Sequence, residues 1–246
     1  MPLASPRRPV LPPPEEKAAT VRRMFSSIAP RYDLLNHLLS LNIDRRWRRR
    51  AVDRLLEGAS PCGRFLDACA GTLDLSVELA GRPGFQGKVV ASDFALPMLE
   101  RGAGKARGRP IVSVCADALR LPFPEASFDG AMVGFGIRNL ADLDGGLAEL
   151  ARVLKPGGRL VVLEFTTPRW QPFRGLYLFY FLQVLPRIGR MVSRHGSAYA
   201  YLPASVLAFP EPPELAERMR AAGFRETTWE TYTGGIVAAH VGRKEG

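Results

Sequence analysis

The chain has 246 residues, of which 46% are hydrophobic and 24% are charged, a balance typical of a globular protein with one sizeable core. Three cysteines without a C-x-x-C pair, and three histidines without metal-ligand spacing, argue against a disulfide framework and a zinc site. The formal net charge of +10 points to an anionic ligand, an anionic membrane or nucleic acid, or only to a solvated surface, and charge alone does not choose among them.

The N-terminal quarter divides into a tail and a helical cap. Residues 1–17 are rich in proline and predict a disordered tail, without the apolar stretch of a signal peptide. From residue 18 to 60, apolar and charged positions alternate at helical spacing, with a break at Pro30. We expect two or three helices here, the second carrying "YDLLNHLLS" and the third "DRRWRRRAVDRLL" with Asp44 as its N-cap.

From residue 63 onward, short apolar strands alternate with amphipathic helices, which predicts a parallel sheet covered on both faces. The strands are expected in "GRFLDACA", "GKVVASDF", "IVSVCADA", "FDGAMVGFGI" and "GRLVVLEF", the last entered through the turn "KPGG". The C-terminal "FRETTWETYTGGIVAAHVGRK" reads as strand, Gly-Gly turn and strand, and predicts an antiparallel hairpin. Residues 166–213, rich in aromatics and prolines, are an insertion of the kind that shapes a substrate site. Its most apolar run, 175–186, is too short to span a bilayer.

The stretch "LDACAGTLDLS" follows the first strand, at the sheet edge where doubly wound folds bind ligands. Gly71 lets the backbone approach a ligand closely. Asp93 ends the second strand, where a carboxylate can accept hydrogen bonds from both ribose hydroxyls of an adenosine. Asp67 and Asp74 suit a cationic ligand, and Asp117 ends the third strand, where an adenine amino group could be read.

Two cofactors share this geometry, NAD and S-adenosyl-L-methionine. A dinucleotide needs G-x-G-x-x-G so that its pyrophosphate can lie on the helix N-terminus, whereas "CAGTLD" supplies one glycine and an aspartate. S-adenosylmethionine carries no phosphate, and its ammonium and sulfonium are cations, so the acids favour it. Each acid taken singly could merely cap a loop, but three at successive strand ends favour a ligand site.

Several flanking segments resemble the ubiquinone/menaquinone C-methyltransferases. They are "FSSIAPRYDLLNHLLSLNIDRRWR" (25–48), "DALRLPFPEASFD" (117–129), "GFGIRNLAD" (134–142), "ELARVLKPGGRLVVLEF" (149–165), "AYAYLPASVLAFP" (198–210) and "TGGIVAAHVGRK" at the end. The resemblance runs from about residue 20 to the end and implies an α/β class I S-adenosylmethionine-dependent methyltransferase. Its fold would be Rossmann-like, with a seven-stranded mostly parallel sheet, the antiparallel hairpin, the N-terminal helices and the substrate-site insertion in one domain, 18–246.

The resemblance also assigns residues to the cofactor and to the reaction. It implies that Thr72, Asp93, Asp117 with Ala118, and Gly134 contact the cofactor, beside Asp67 and Gly71 in the loop. It places Arg138 and Asn139 where cofactor and quinol meet. The family commonly has G-T-G-D where this chain has "GTLD", so Leu73 replaces a glycine. A positive φ at that position would cost a leucine about 1 kcal/mol or more, whereas a helical φ would leave it only crowding the methionine moiety.

The implied reaction is methylation of a ring carbon of a polyprenylated quinol, most simply demethylmenaquinol, with a benzoquinol of ubiquinone biosynthesis as the alternative. A quinol hydroxyl with a phenol-like pKa near about 10 needs a base, or a cation that stabilises the phenolate. Arg138 suits the second role, and Asn139 could orient the same oxygen. Tyr32 and Asp33 are candidates to cover the site and relay a proton, unless "RYD" only forms a local salt bridge.

Such a substrate resides in the bilayer, so we expect a cytoplasmic protein that contacts the inner face of the membrane peripherally, with a homodimer left open. The aromatic and arginine-rich insertion supports this, although it could equally be a lipid channel or plain core. A nucleic-acid methyltransferase is disfavoured because no N/D-P-P-Y/F motif follows the fourth strand. A non-catalytic binding protein of the same fold is the rival from another class.

Overall fold

The computed structural model of the chain describes residues 11–33, 40, 42–184, 187 and 196–246. Seven strands form one sheet in the order β3-β2-β1-β4-β5-β7-β6. The strands are β1 (Arg64–Ala68), β2 (Lys88–Asp93), β3 (Ile111–Cys115), β4 (Phe128–Gly134), β5 (Leu154–Phe165), β6 (Phe224–Tyr232) and β7 (Val237–Lys244). The first five strands are parallel, and β7 pairs antiparallel with both β5 and β6. The predicted parallel sheet and closing hairpin are confirmed.

The inner parallel strands β1, β2 and β4 are apolar on both faces because each is covered on both sides. Neighbouring residues of β1 show this alternation. Phe65 joins a cluster with Leu55 and Val161 on one face, and Leu66 joins another with Leu160 on the opposite face. The strand order reverses at β1, whose two neighbours are β2 and β4. A crevice therefore opens at the carboxyl ends of β1 and β4, the place where such sheets bind ligands.

Eight helices are seen in the described parts of the chain. They are α1 (Pro14–Ile28), α2 (Ile43–Leu56), α3 (Asp74–Ala80), α4 (Leu96–Ala106), α5 (Leu143–Val153), α6 (Gln171–Phe179), α7 (Gly196–Leu207) and α8 (Pro212–Ala221). A π-helical turn, Tyr180–Val184, extends α6, and a 3-10 turn, Ile137–Asn139, follows β4. None of these helices has the length and apolar content needed to cross a membrane.

Two expectations about the N-terminal helices need correction. The first helix begins at Pro14, inside the segment expected to be a tail, because a proline in the first turn and two following glutamates favour a helix start. Asp44 does not cap α2, since Asn42 takes the cap position in a left-handed conformation without a side-chain bond. Asp44 lies inside the helix, buried, and pairs with Arg48 at 2.5 Å.

The "KPGG" stretch is not a turn before β5 but an irregularity within it. Strand pairing passes from Phe128 with Leu154 to Gly130 with Arg159, so the strand accommodates extra residues and then continues. Gly157, at φ 75°, provides the left-handed backbone that this bulge requires. The expected helix through "YDLLNHLLS" lies mostly outside the described residues. Its first two positions continue the helical turn after Pro30.

The insertion packs against the N-terminal helix. Tyr177 of α6, Phe181 of the π-turn and Val206 of α7 form a buried cluster, and Met24 and Ile28 of α1 pack against it. The N-terminal helix α1 and the insertion therefore meet over the carboxyl edge of the sheet.

Candidate active site

A cavity lies at the carboxyl ends of β1 to β4, with about 660 Å³ of space that is partly open to solvent. The helical cap roofs it through Ala18 and Phe25 of α1, while the loops after β1, β2, β3 and β4 form its floor and sides. Seven of the predicted site residues line it: Tyr32, Gly71, Asp93, Asp117, Ala118, Gly134 and Asn139. The other four predicted site residues lie close to the cavity but do not line it: Asp33, Asp67, Thr72 and Arg138.

The loop after β1 turns sharply, with left-handed backbone at Cys69 (φ 56°), Gly71 (φ 53°) and Leu73 (φ 70°). Gly71 donates its N–H to Asp93 Oδ2 at 2.9 Å, which ties this loop to the end of β2. A side chain on Gly71 would approach Met98 and Tyr32, both of which line the cavity. Glycine at this position keeps the backbone open to a ligand.

Leu73 adopts the left-handed conformation, so the first of the two alternatives for it holds. Its side chain is fully buried and packs with Ala91 of β2 and Leu99 of α4. Gly102 of α4 makes room for it, because a Cβ there would lie 2.6 Å from Leu73 Cγ. The leucine side chain therefore points into the core beneath the loop. Its burial stabilises the fold by about 1.5–3 kcal/mol, which offsets the cost of about 1–2 kcal/mol for the left-handed backbone.

Asp93 is buried at the end of β2 with its carboxylate fixed. Oδ2 accepts the bond from Gly71, and Oδ1 accepts one from the Ala95 N–H at 2.8 Å. Burial raises the pKa of this carboxyl, and the two backbone donors oppose that effect. Each oxygen keeps a lone pair, so the carboxylate can accept two further hydrogen bonds from a ligand in the cavity.

The far end of the cavity is shaped by small residues and one exposed acid. Asp117 is exposed, and its Oδ1 accepts the Leu119 N–H at 2.9 Å, while the neighbouring Ala118 is buried. A Cβ on Gly134 would lie 2.4 Å from Leu75 Cδ1, so only glycine fits at this point of the wall. Glycine therefore lets β4 pack closely against Leu75, and the cavity is polar beyond β3 at Asp117.

Asp67 lies beneath the loop, fully buried. Its Oδ2 accepts bonds from Ser76 N at 3.0 Å and Ser76 Oγ at 2.6 Å, which anchors the N-terminal turn of α3. Oδ1 has no hydrogen-bond partner among the described residues. Burial raises the pKa of Asp67 to about 7, with nearby Asp93 adding to the effect of burial and Ser76 opposing it.

Thr72 and Asp33 belong to a polar network that joins the cap to the loop. Thr72 Oγ1 donates to Asp33 Oδ1 at 2.5 Å, and Lys105 of α4 lies 2.7 Å from Asp33 Oδ2 and 2.6 Å from Asp74 Oδ1. Asp74 also pairs with Arg48 at 3.0 Å. Asp33 thus forms a salt bridge with Lys105 of α4, which is not the local salt bridge within the N-terminal helices that was the alternative for "RYD".

Arg138 is buried, and its guanidinium does not face the cofactor cavity. Its Nη1 bonds to Glu164 Oε1 at 2.7 Å and to the Phe135 carbonyl, and its Nε lies 3.4 Å from Ser205 Oγ. The Phe165 ring lies under the guanidinium at 5.6 Å. Burial raises the pKa of Glu164, and the adjacent Arg138 charge opposes that effect.

Asn139 is the residue of this pair that reaches the cavity. Its Nδ2 lies 3.5 Å from the Phe135 carbonyl oxygen, and its Oδ1, although buried, has no partner among the residues described. Tyr32 lines the same space and packs edge-on against Phe25 at 5.9 Å between ring centroids. An amide side chain and a tyrosine therefore border the same cavity as Asp93.

Two residues that sequence reasoning missed hold this arrangement together, Glu164 and Lys105. A signal for Glu164 was present, because a single acid at the end of the apolar "RLVVLEF" demands a buried partner. Lys105 had no comparable signal, since a lysine in the last turn of a helix is ordinary.

A class I methyltransferase fold is defined by this sheet order, with the cavity at its switch point. Solved structures support the class. A S-adenosylmethionine-dependent methyltransferase from Thermotoga maritima is 21% identical with a TM-score of 0.62, covering 91% of this chain and 99% of that one. A Burkholderia thailandensis 1,6-didemethyltoxoflavin-N1-methyltransferase, solved with S-adenosylhomocysteine, is 20% identical with a TM-score of 0.63, covering 100% and 94%.

The chain belongs to the ubiE/COQ5 methyltransferase family, whose profile matches residues 14–244. A demethylmenaquinone methyltransferase of Deinococcus radiodurans is 50% identical over 96% of this chain and 98% of its own length. That of Thermus thermophilus is 52% identical over 89% and 99%. A ubiquinone/menaquinone biosynthesis C-methyltransferase of Geobacter sulfurreducens is 47% identical over 93% and 90%. The family predicted by resemblance is confirmed.

Proposed function

We propose that this protein methylates a ring carbon of a polyprenylated quinol, converting demethylmenaquinol to menaquinol with S-adenosyl-L-methionine as methyl donor. The observation that carries the proposal is the near-full-length identity of about half with demethylmenaquinone methyltransferases. The cavity supports it, because its glycines and carboxylates suit an uncharged adenosine joined to a cationic amino acid. The benzoquinol reaction of ubiquinone biosynthesis is the second candidate, favoured by relatives whose name covers both pathways.

In this proposal the cofactor lies along the loop after β1. Asp93 accepts hydrogen bonds from the two ribose hydroxyls, since its oxygens retain free lone pairs after the bonds from Gly71 and Ala95. Asp117 and Ala118 border the adenine, and Gly134 leaves space beside β4. Asp67 and Thr72 contribute from behind, by holding α3 and the cap in the positions that shape the loop.

The sulfonium, when bound, supplies an activated methyl group, so the protein's main task is alignment of the acceptor carbon. Asn139 borders the cavity, and its amide is suited to orient an oxygen of the quinol. Tyr32 covers the same space from the cap. Arg138 acts from behind through its buried positive charge, which is held by Glu164 and favours a developing phenolate nearby.

A direct assay separates these possibilities. Purified protein with labelled S-adenosylmethionine should methylate demethylmenaquinol, and expression in menaquinone-deficient cells should restore the methylated quinone measured by mass spectrometry. Restoration in ubiquinone-deficient cells alone would select the benzoquinol reaction. Calorimetry that detected no S-adenosylmethionine binding would support the non-catalytic rival instead.

We also propose peripheral contact with the cytoplasmic face of the membrane, through the exposed side of α6 and the π-turn. Trp170, Leu176 and Phe179 are 70%, 66% and 61% exposed, and Leu182 continues the same stripe one turn further on. Residues 169–187 contain three arginines and no acidic residue. An apolar stripe flanked by arginines is typical of a helix that lies in the interface of an anionic bilayer.

Vesicle sedimentation tests this contact. The protein should pellet with phosphatidylglycerol vesicles more than with phosphatidylcholine vesicles, and Leu176→Glu with Phe179→Glu should abolish most of the binding. Val112→Glu is the matched control, because Val112 is an equally exposed apolar residue on the distant edge strand β3. If the double variant instead turned a dimer into a monomer without affecting vesicle binding, a second copy of the chain would be the occupant of this face.

A further inference from the structure

Lys17, near the start of α1, reaches across to the 3-10 turn that follows β4. Its Nζ donates to the carbonyl oxygen of Leu140 at 2.6 Å and to that of Arg138 at 3.0 Å. These two carbonyls lie on either side of Asn139 in the sequence. One ammonium therefore holds the backbone on both sides of a residue that lines the cofactor cavity.

This placement of a lysine is unfavourable unless its contacts compensate for it. The N-terminal end of a helix carries partial positive charge, so a cation there is disfavoured. Burial, followed by the nearby charge of Arg138, lowers the pKa of Lys17. An ammonium offers three N–H donors, and its charge makes each bond to a carbonyl stronger than a neutral one. The two bonds to the turn therefore account for a lysine at this position.

Lys17 also joins the roof of the cofactor cavity to one of its sides. Its neighbour in α1, Ala18, lines that cavity, and so do Asn139 and Leu140. The turn has its own backbone bonds, donated by the N–H groups of Asn139 and Leu140 at 3.0 and 3.2 Å. Those internal bonds fix the shape of the turn, whereas Lys17 fixes its position against α1.

A second cavity, of about 800 Å³ and partly open to solvent, borders the same contact. Lys17, Arg138 and Leu140 line it, together with residues of α7 and α8. Leu140 and Ala141 line both cavities, so this segment has open space on two sides rather than close packing. A segment with room to shift needs a polar contact to hold it, and Lys17 supplies one.

We infer that Lys17 is a positioning residue, which holds Asn139 at the cofactor cavity by tying the turn after β4 to α1. Methyl transfer depends on alignment, and a misplacement of about 1 Å can slow such a reaction roughly a hundredfold. The effect on catalysis rests on the proposed function, in which Asn139 orients an oxygen of the quinol. The effect on the position of the turn does not depend on the reaction.

The test removes the ammonium and keeps most of the side-chain stem. Lys17→Met should lower kcat with demethylmenaquinol roughly 10- to 100-fold. The Kd for S-adenosylmethionine, measured by calorimetry, should change by less than about threefold, because Lys17 does not line the cofactor cavity. Hydrogen exchange at the amides of Asn139 and Leu140 should become roughly tenfold faster. Lys17→Arg retains charged donors of similar reach and should restore most of both properties.

Lys244→Met is the matched control. Lys244 Nζ also donates to a backbone carbonyl, that of Leu154 at 2.7 Å, but at the amino end of β5, the edge of the sheet opposite the cavity. Its loss should lower the thermal midpoint by a similar amount and leave kcat and exchange at the turn unchanged. An equal loss of kcat in this control would overturn the inference, because general destabilisation would then explain the effect.

Wild-type exchange at Asn139 and Leu140 in folded Lys17→Met would also overturn the inference, whatever the turnover. Lys17→Gln is the second variant in case Lys17→Met does not fold, and the same outcomes apply to it. If the wild-type protein does not methylate demethylmenaquinol while exchange at the turn still depends on Lys17, the proposed reaction fails and the positioning role stands.

Discussion

At the scale of single residues, Leu73 shows how a loop can keep its shape without the usual glycine. The residue retains the left-handed backbone, and its side chain turns away from the cofactor cavity into the core. Gly102 on α4 supplies the space that a larger residue there would remove. Leucine in place of glycine adds a side chain inside the core, where burial is favourable, and leaves the lining of the cavity unchanged.

This arrangement predicts an unusual order of stabilities at position 73. Leu73→Ala should lower the free energy of unfolding by about 2–4 kcal/mol, because it leaves a cavity and keeps the strain. Leu73→Gly should be more stable than Leu73→Ala by about 1 kcal/mol, because glycine relieves the positive φ.

Leu147, buried in the middle of α5, is the matched control, where glycine should be less stable than alanine by about 1 kcal/mol. Urea denaturation of the four variants measures both differences. The same order at both positions would contradict a strained backbone at Leu73.

Asp67 predicts a pH dependence of stability. Its pKa in the folded protein, about 7, is above the ordinary value of 3.8, so ionising it is harder when folded than when unfolded. Its contribution to stability is therefore fully present below about pH 4 and is lost as pH rises from about 4 to about 7. Asp67→Asn should gain stability relative to wild type across that window, by on the order of 4 kcal/mol at pH 8. A difference between the two proteins that did not vary with pH, in thermal unfolding without cofactor, would refute this.

At the scale of elements, the C-terminal turn of α4 fixes the cap to the sheet. Lys105 contacts Asp33 of the cap and Asp74 at the start of α3, while Arg48 of α2 reaches the same Asp74. Four elements therefore meet through alternating charges beside the loop after β1. Since the cap roofs the cavity, this network controls how firmly the roof is held.

Lys105→Met should loosen the cap while leaving the sheet intact. It removes one positive charge between two carboxylates in a partly exposed site, so we expect a loss of about 1–2 kcal/mol in stability and weaker S-adenosylmethionine binding. Hydrogen exchange should become faster in α1 but not in β4. Lys155→Met, which breaks a more exposed pair with Asp129, is the control and should change neither exchange nor affinity. Equal protection of α1 in both variants would exclude a fastening role for Lys105.

At the scale of the whole molecule, the cofactor cavity joins the N-terminal cap to the sheet. Its lining runs from Ala18 in α1 to Ala141 after β4. A ligand that fills it contacts both parts, and binding to the folded state alone stabilises the molecule by mass action. The cap and the sheet should therefore respond together to S-adenosylmethionine.

Saturating S-adenosylmethionine should raise the free energy of unfolding by about 2.7 kcal/mol at a hundred times its Kd. Hydrogen exchange should slow in α1 as well as at the carboxyl ends of β1 and β2. Asp93→Asn retains acceptor oxygen but loses charge, so a smaller thermal shift is expected at the same concentration. A shift of wild-type size in Asp93→Asn would show that the carboxylate is not a ligand.

Much of the fold could be predicted from the sequence, because apolar strands alternating with amphipathic helices allow few arrangements. The closing hairpin followed equally directly from the Gly-Gly turn between Tyr232 and Ile236. The bulge at "KPGG" could not be foreseen, since a proline and two glycines indicate a turn whether or not the strand resumes pairing. The role of Asp44 was missed because its buried partner, Arg48, is in a run of arginines that resembles a solvated face.

The sequence could predict where the site residues lie, but not which way their side chains point. Strand ends located Asp93, Asp117 and Gly134 at the cavity, because the carboxyl ends of parallel strands share one edge. The sequence could not show that Arg138 turns inward to Glu164 while Asn139 faces the cavity, since adjacent residues of a 3-10 turn point apart. Nor could it bring α6 and α7 to this point, because their placement depends on long-range packing.

The span of the cavity lining also sets an order of assembly during synthesis. Every residue that lines the cavity precedes residue 142, whereas Glu164, which pairs with Arg138, and the whole insertion follow it. A chain emerging from the ribosome thus completes the segments that line the cavity before β5 and the insertion have been made. Cofactor available at that stage would meet most of its own contacts first and would act as a template on which β5 and the insertion close.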